Sequence, residues 1–167
     1  MAWYDGWKPL DTRIGIPAIA TNHASELIPL GTRIKAEHAT YGVGEFIFVK
    51  GVASNARAAW VTMNYDDWTT ALLAADAIAP VGISMSAFVA SEFGWAQIYG
   101  KAVGKALSGF ADNGNAYATA TAGSVDDAIV AGDLVKNAKG ASALDTPDTG
   151  LAEFEIQYPF MDDGLTA

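Results

Sequence analysis

The chain has 167 residues, no cysteine and a formal net charge of −9. That length fits one domain of about 100–200 residues, large enough to bury roughly 70% of the surface its unfolded chain exposes. The missing cysteine excludes disulfide frameworks, thiolate metal sites and cysteine nucleophiles, and the acidic balance argues against nucleic acid as a partner.

Hydrophobic residues make up 51% and charged residues 17%, which excludes wholesale disorder. Its 32 alanines inflate the first figure, and there are also 17 glycines. No apolar run reaches the roughly 20 residues needed to span a bilayer, so no membrane partner is expected. The start, Met1-Ala2-Trp3-Tyr4-Asp5-Gly6-Trp7, has neither a basic n-region nor a continuous apolar stretch, so no secretory signal is expected. Residues 126–167 carry seven of the nine net negative charges, as a solvated, self-repelling outer face would.

Residues 1–30 read as an extended arm. Trp3, Tyr4 and Trp7 stand near its start, and Pro9, Pro17 and Pro29 interrupt regular structure. Residues 12–16 suit a short strand. Residues 21–27 suit a helical turn with Asn22 as N-cap. Rings of this size bury about 150–250 Å² each, so the arm either folds back on its own domain or docks on a neighbour. The prolines, which keep it extended, favour docking. The candidate contact residues are Trp3, Tyr4, Trp7, Ile14 and Ile16.

Residues 31–167 read as a second unit of short strands and glycine turns. Glu45-Phe46-Ile47-Phe48-Val49-Lys50, bounded by Gly44 and Gly51, is the strongest strand. Residues 58–65 form another. Residues 69–77 favour helix by propensity but lie between strand candidates, and are read as strand. Residues 79–88 alternate, with Val81, Ile83 and Met85 on one side. Residues 95–103 make a half-buried strand with a kink at Gly100. Asn113-Gly114 is the signature of a type I′ hairpin turn. Residues 117–121, 128–130, 134–139 and 153–158 complete the set. The last places Phe154, Ile156 and Tyr158 on one face, and Pro159 ends it. Short strands at spacings near ten residues predict an all-β fold, a β-barrel or sandwich of short antiparallel strands.

Chemistry is sparse. His23 and Glu26 are two ligands where zinc needs three, and His38 reads as a loop residue. Asp66-Asp67, Asp126-Asp127 and Asp162-Asp163 lack the calcium-loop pattern and read as turn caps. Gly100 and Gly104-Lys105-Ala106 have the wrong spacing for a phosphate loop, and Ala106 stands where the magnesium ligand belongs. There is no Gly-x-Ser-x-Gly elbow. No enzyme activity and no metal or other cofactor are expected. Trp60, Trp68 and Trp95 are candidates for a sugar-stacking platform. Trp60 and Trp95 sit within apolar strands and read as core, which leaves Trp68, after two aspartates, as the exposed aromatic contact.

Four segments carry a resemblance. They are Tyr41-Gly42-Val43-Gly44-Glu45-Phe46-Ile47-Phe48-Val49-Lys50-Gly51-Val52, Gly94-Trp95-Ala96-Gln97-Ile98-Tyr99-Gly100-Lys101-Ala102, the run from Val125-Asp126-Asp127 to Ala131-Gly132-Asp133, and the run from Gly150-Leu151-Ala152-Glu153-Phe154 to Pro159-Phe160. Together they span about residues 30–163 and resemble the capsid decoration, or cement, proteins of tailed bacteriophages. The resemblance implies a jelly-roll-like β-barrel or sandwich, a structural virion protein on the outside of an icosahedral head, made in the host cytoplasm. It implies a homotrimer that clamps neighbouring major capsid subunits and stabilises the expanded shell. It carries over no catalytic residue, and the arm matches no motif of the family. The alternative from the residues alone is a module on the virion that binds host-surface glycan or receptor.

Overall fold

The computed structural model describes residues 1–11 and 15–162. The chain is all-β, with eleven strands among the described residues in one hydrogen-bonded sheet and every named strand pair antiparallel. They are β1 (Lys8–Pro9), β2 (Arg33–His38), β3 (Gly42–Lys50), β4 (Trp60–Met63), β5 (Thr70–Leu72), β6 (Ala79–Ser84), β7 (Phe93–Lys105), β8 (Asn115–Ala118), β9 (Val125–Asp126), β10 (Leu134–Gly140) and β11 (Leu151–Met161). The order is β1-β2-β3-β7-β6-β11-β10-β8-β9, with β4 and β5 branching from β6. The sheet does not close into a barrel: its ends, β1 and β9, are two-residue strands that pair on one side only. Such short edges offer little ladder for another chain to extend.

Period-two burial explains β2: Ile34, Ala36 and His38 point inward, and Arg33, Lys35 and Glu37 outward. β3 is buried on both faces. Phe46 and Phe48 join one core with Trp3, Ile19, Ile34 and Trp95, and Ile47 and Val49 join another with Val61, Met63, Phe88 and Ile98. A strand covered on both sides reads as an unbroken apolar run, as this one does. A third core, under β7 and β11, gathers Trp60, Ile83, Phe110, Val125, Val135, Phe154 and Ile156. Trp60 and Trp95 are fully buried, and their indole N–H groups donate to the Lys105 and Pro17 carbonyls, both at 3.1 Å.

The sheet forks where β7 and β11 part. They pair from Leu151↔Lys105 to Gln157↔Tyr99. Beyond that level β6 enters between them, pairing Ile83↔Gln97 and Ser84↔Ala96 with β7 and Phe160↔Pro80 and Met161↔Ala79 with β11. Both strands are distorted at the fork. Gly100 has φ +98°, and a Cβ there would lie 2.5 Å from the Val43 carbonyl oxygen, so the expected kink requires glycine. Tyr158 has φ 52°, and the β10–β11 register shifts between Lys136↔Phe160 and Ala138↔Ile156. Such a bulge re-aims side chains. Burial passes from Ala152, Phe154 and Ile156 to Pro159 and Met161, and Tyr158 turns outward.

Other local expectations change for identifiable reasons. β11 runs through Pro159 because a bulge tolerates the missing N–H. Residues 128–130 form no strand. They are exposed irregular chain between β9 and β10, preceded by Asp127, whose carboxylate Oδ2 accepts the Ala111 N–H. Residues 21–27 form no helical turn, and His23 instead bridges Phe93 through two 2.8 Å backbone bonds. Asn113-Gly114 makes a turn with positive φ at Asn113 alone, where type I′ needs two. Of residues 69–77, only β5 is strand.

Candidate functional site

Of the described residues of the 1–30 segment, Trp3, Ile19, Ile28 and Leu30 pack on their own domain. Trp3 is 9% exposed in the core beside Phe46 and Phe48. Tyr4 meets Trp3 edge-on and lies under Arg57, whose guanidinium carbon is 3.6 Å from the ring centroid. Arg57 also donates to the Met85 carbonyl at 3.0 Å and the Ala20 carbonyl at 2.9 Å, so one side chain fastens two points of the segment to the domain. Trp7 packs edge-on against Phe46 and stacks near Tyr41. His38 is buried and holds the segment's other side. Its Nε2–H donates to the Asp5 carbonyl at 2.8 Å, and its Nδ1 accepts the Thr40 and Tyr41 N–H groups at 3.0 and 3.3 Å. Ile16 is half-buried, and Ile14 lies outside the described residues. The structure brings Tyr4, Trp7 and Ile16 together along an open cleft of about 370 Å³, with Pro9 and Pro17.

A second cluster sits at the fork. Glu45 is 9% exposed on β3, opposite Tyr99. The Tyr158 hydroxyl donates to Glu45 Oε2 at 2.8 Å, and the Tyr99 and Tyr158 rings lie 5.4 Å apart. That hydrogen bond, then partial burial and the Glu45 charge, holds the Tyr158 phenol above its usual range, against a lowering pull from Arg33. Tyr99, Tyr158, Val43 and Phe160 all remain exposed. Lys136 lies 5.6 Å over the Phe160 ring. Sequence reading missed this cluster because the bulge that turns Tyr158 outward leaves no trace in the alternation.

A third region is aliphatic. Ile129 is 83% exposed and Ile78 is 69% exposed, and Val130 is also exposed. The sequence suggests a strand at residues 128–130, and that pattern hides them as a surface.

The remaining candidates are structural in this chain. Trp68 is half-buried in the core of Ile47 and Val49, and its ring occupies the space a side chain on Gly31 would need. The exposed member of that pair is Tyr65, 4.7 Å away. Asp67 accepts the Thr69 N–H at 3.0 Å and hydroxyl at 2.7 Å, which holds its carboxyl below the usual range. Asp126 accepts the Asp127 N–H at 2.9 Å, and Asp162 pairs with Lys136. Asp163 lies outside the described residues. Among the described residues, no three His, Cys, Asp or Glu side chains group to hold a metal ion, and no helix is long and apolar enough to cross a membrane.

No known family matches the chain, and no curated protein or solved structure matches it. The fold therefore defines its class by geometry alone: an all-β, sandwich-like protein with an open sheet.

Proposed function

We propose that this chain is a structural virion protein that binds the outside of an icosahedral phage head and clamps neighbouring major capsid subunits, stabilising the expanded shell. The observation that carries this reading is the bare apolar surface on a body that otherwise buries its aromatics well. Ile78, Ile129, Val130, Tyr99, Tyr158 and Phe160 stay exposed. Surface of that kind, rimmed by polar residues, marks protein contact.

The sequence resemblance supports the same reading. Its segments fall on β3, β7, the β9–β10 turn and β11. The first two are neighbours in the sheet, as are β7 and β11. A homotrimer touching several capsid subunits gains avidity without high affinity at each contact. Tyr4, Trp7 and Ile16 add a contact edge along their cleft. The glycan-binding alternative has less support, because Trp68 spends its ring on packing.

The test is the heat stability of heads assembled without the chain and then supplied with it. Added chain should raise the temperature at which heads release DNA. Equal release temperatures would overturn the reading.

A further inference from the structure

The loops of residues 74–78 and 128–131 carry the two most exposed isoleucine or valine side chains of the described residues, Ile78 and Ile129. They are far apart in sequence, and a single buried carboxylate ties them together. Asp133 is 4% exposed, and its Oδ1 accepts the Asp76 N–H at 2.7 Å. The Asp133 backbone fixes the same spot, since its N–H donates to the Val130 carbonyl at 3.2 Å and its carbonyl accepts the Ala118 N–H at 2.8 Å. Gly132, at φ +89°, makes the turn that brings Asp133 inward. A third loop joins them, with the Gly123 N–H donating to the Leu73 carbonyl at 2.8 Å. Around the isoleucines the exposed residues are Ala74, Ala75, Ala120, Ala122, Ala128, Val130 and Ala131. Small aliphatic side chains on a pinned backbone lose little conformational entropy on docking.

The loops themselves carry charge of one sign, and Lys136, which β10 and β11 bring near Ile78, is paired with Asp162. Residues 58–100 and 106–135 contain no Lys, Arg or His, while Asp76, Asp112, Asp126, Asp127 and Asp133 belong to these loops and their flanks. A second copy meeting this end with its own would set aspartate against aspartate, which like-charge repulsion opposes. A partner with a basic rim gains instead.

We infer that these loops form one rigid docking end, and that its partner is a shell-subunit surface with an aliphatic recess rimmed by Lys or Arg. This rests on the reading of the chain as a head-binding protein and assigns the face that binds. The experiment measures co-sedimentation of the purified chain with heads that lack it, in low and high salt. The variants are Ile78→Asp, Ile129→Asp, Asp76→Asn and, as a control outside this end, Leu27→Asp. Their melting curves should match the wild type, because all four side chains are exposed. Each isoleucine substitution should weaken head binding at least tenfold. Asp76→Asn should weaken it a few-fold at low salt only, and Leu27→Asp should leave it unchanged. Wild-type binding that both isoleucine variants retain would overturn the assigned face and leave the proposed function standing. A wild-type chain that binds no heads would overturn the proposed function and this inference with it. A wild-type oligomer that both isoleucine variants dissolve would assign the end to a second copy and overturn the partner.

Discussion

Apart from β1, residues 1–11 and 15–20 are irregular chain with large apolar side chains, and so are the loops of residues 74–78 and 128–131. In the first, Trp3 and Ile19 are buried and Trp7 is half-buried. In the second, Ile78, Ile129 and Val130 are bare. Local hydrophobicity does not separate them. What separates them is what each finds nearby. The N-terminal segment lies against Phe46, Phe48 and Trp95, which need a cover, and Arg57 and His38 satisfy its carbonyls. The loops lie over a core already closed by Ala118, Val125 and Val135, and Asp133 holds their backbone while their side chains stay outside. One region is a lid for its own domain. The other is a surface prepared for something else.

The sharpest break of this contrast is Trp95→Ala. It opens a cavity under the lid and deletes the donor to Pro17, and should cost about 3–5 kcal/mol in chemical unfolding. A cost near zero would show that the lid contributes nothing to the fold. Arg57→Ala comes next. It frees the Met85 and Ala20 carbonyls and the Tyr4 ring, so about 1–3 kcal/mol should be lost and residues 1–20 should become the first site of limited proteolysis. Unchanged cleavage would remove Arg57 as the fastening.

A smaller effect appears at high pH. Burial first, then the Glu153 charge, raises the Tyr41 phenol beside Trp7, and Tyr158 is raised by its bond to Glu45. The folded chain therefore holds protons the unfolded chain releases. The stability they contribute is full below the ordinary tyrosine pKa and is lost as pH rises through the raised values. A tyrosinate absorbance titration should show a late component that shrinks in Tyr158→Phe. A single unshifted transition would count against both bonds. The smallest effect is on the bare side: Ile129→Asp should change stability by no more than about 0.5 kcal/mol. A larger loss would mean the loop is part of the core.

Much of the sheet was legible. Glu45 to Lys50 announced β3, because β-branched and aromatic residues between glycines suit few other conformations. Gly100 announced its kink. The acid pairs read correctly as local caps at Asp67 and Asp126, since short carboxylates reach nearby N–H groups whatever the fold, whereas Asp127 caps the distant Ala111 N–H. The surface was not legible. Trp68 looked exposed after two aspartates, yet the space beside Gly31 takes its ring. Tyr158 continued an alternation that the bulge reverses.

Alternation and glycine spacing determined an all-β chain of short strands, because those signals act within a few residues. Which apolar groups are covered was decided only when distant strands met. The fork between β7 and β11, the lid over Phe48 and the carboxylate of Asp133 joining two loops all depend on contacts between residues far apart in the chain. No local pattern encodes them, because burial belongs to the neighbours a side chain acquires on folding.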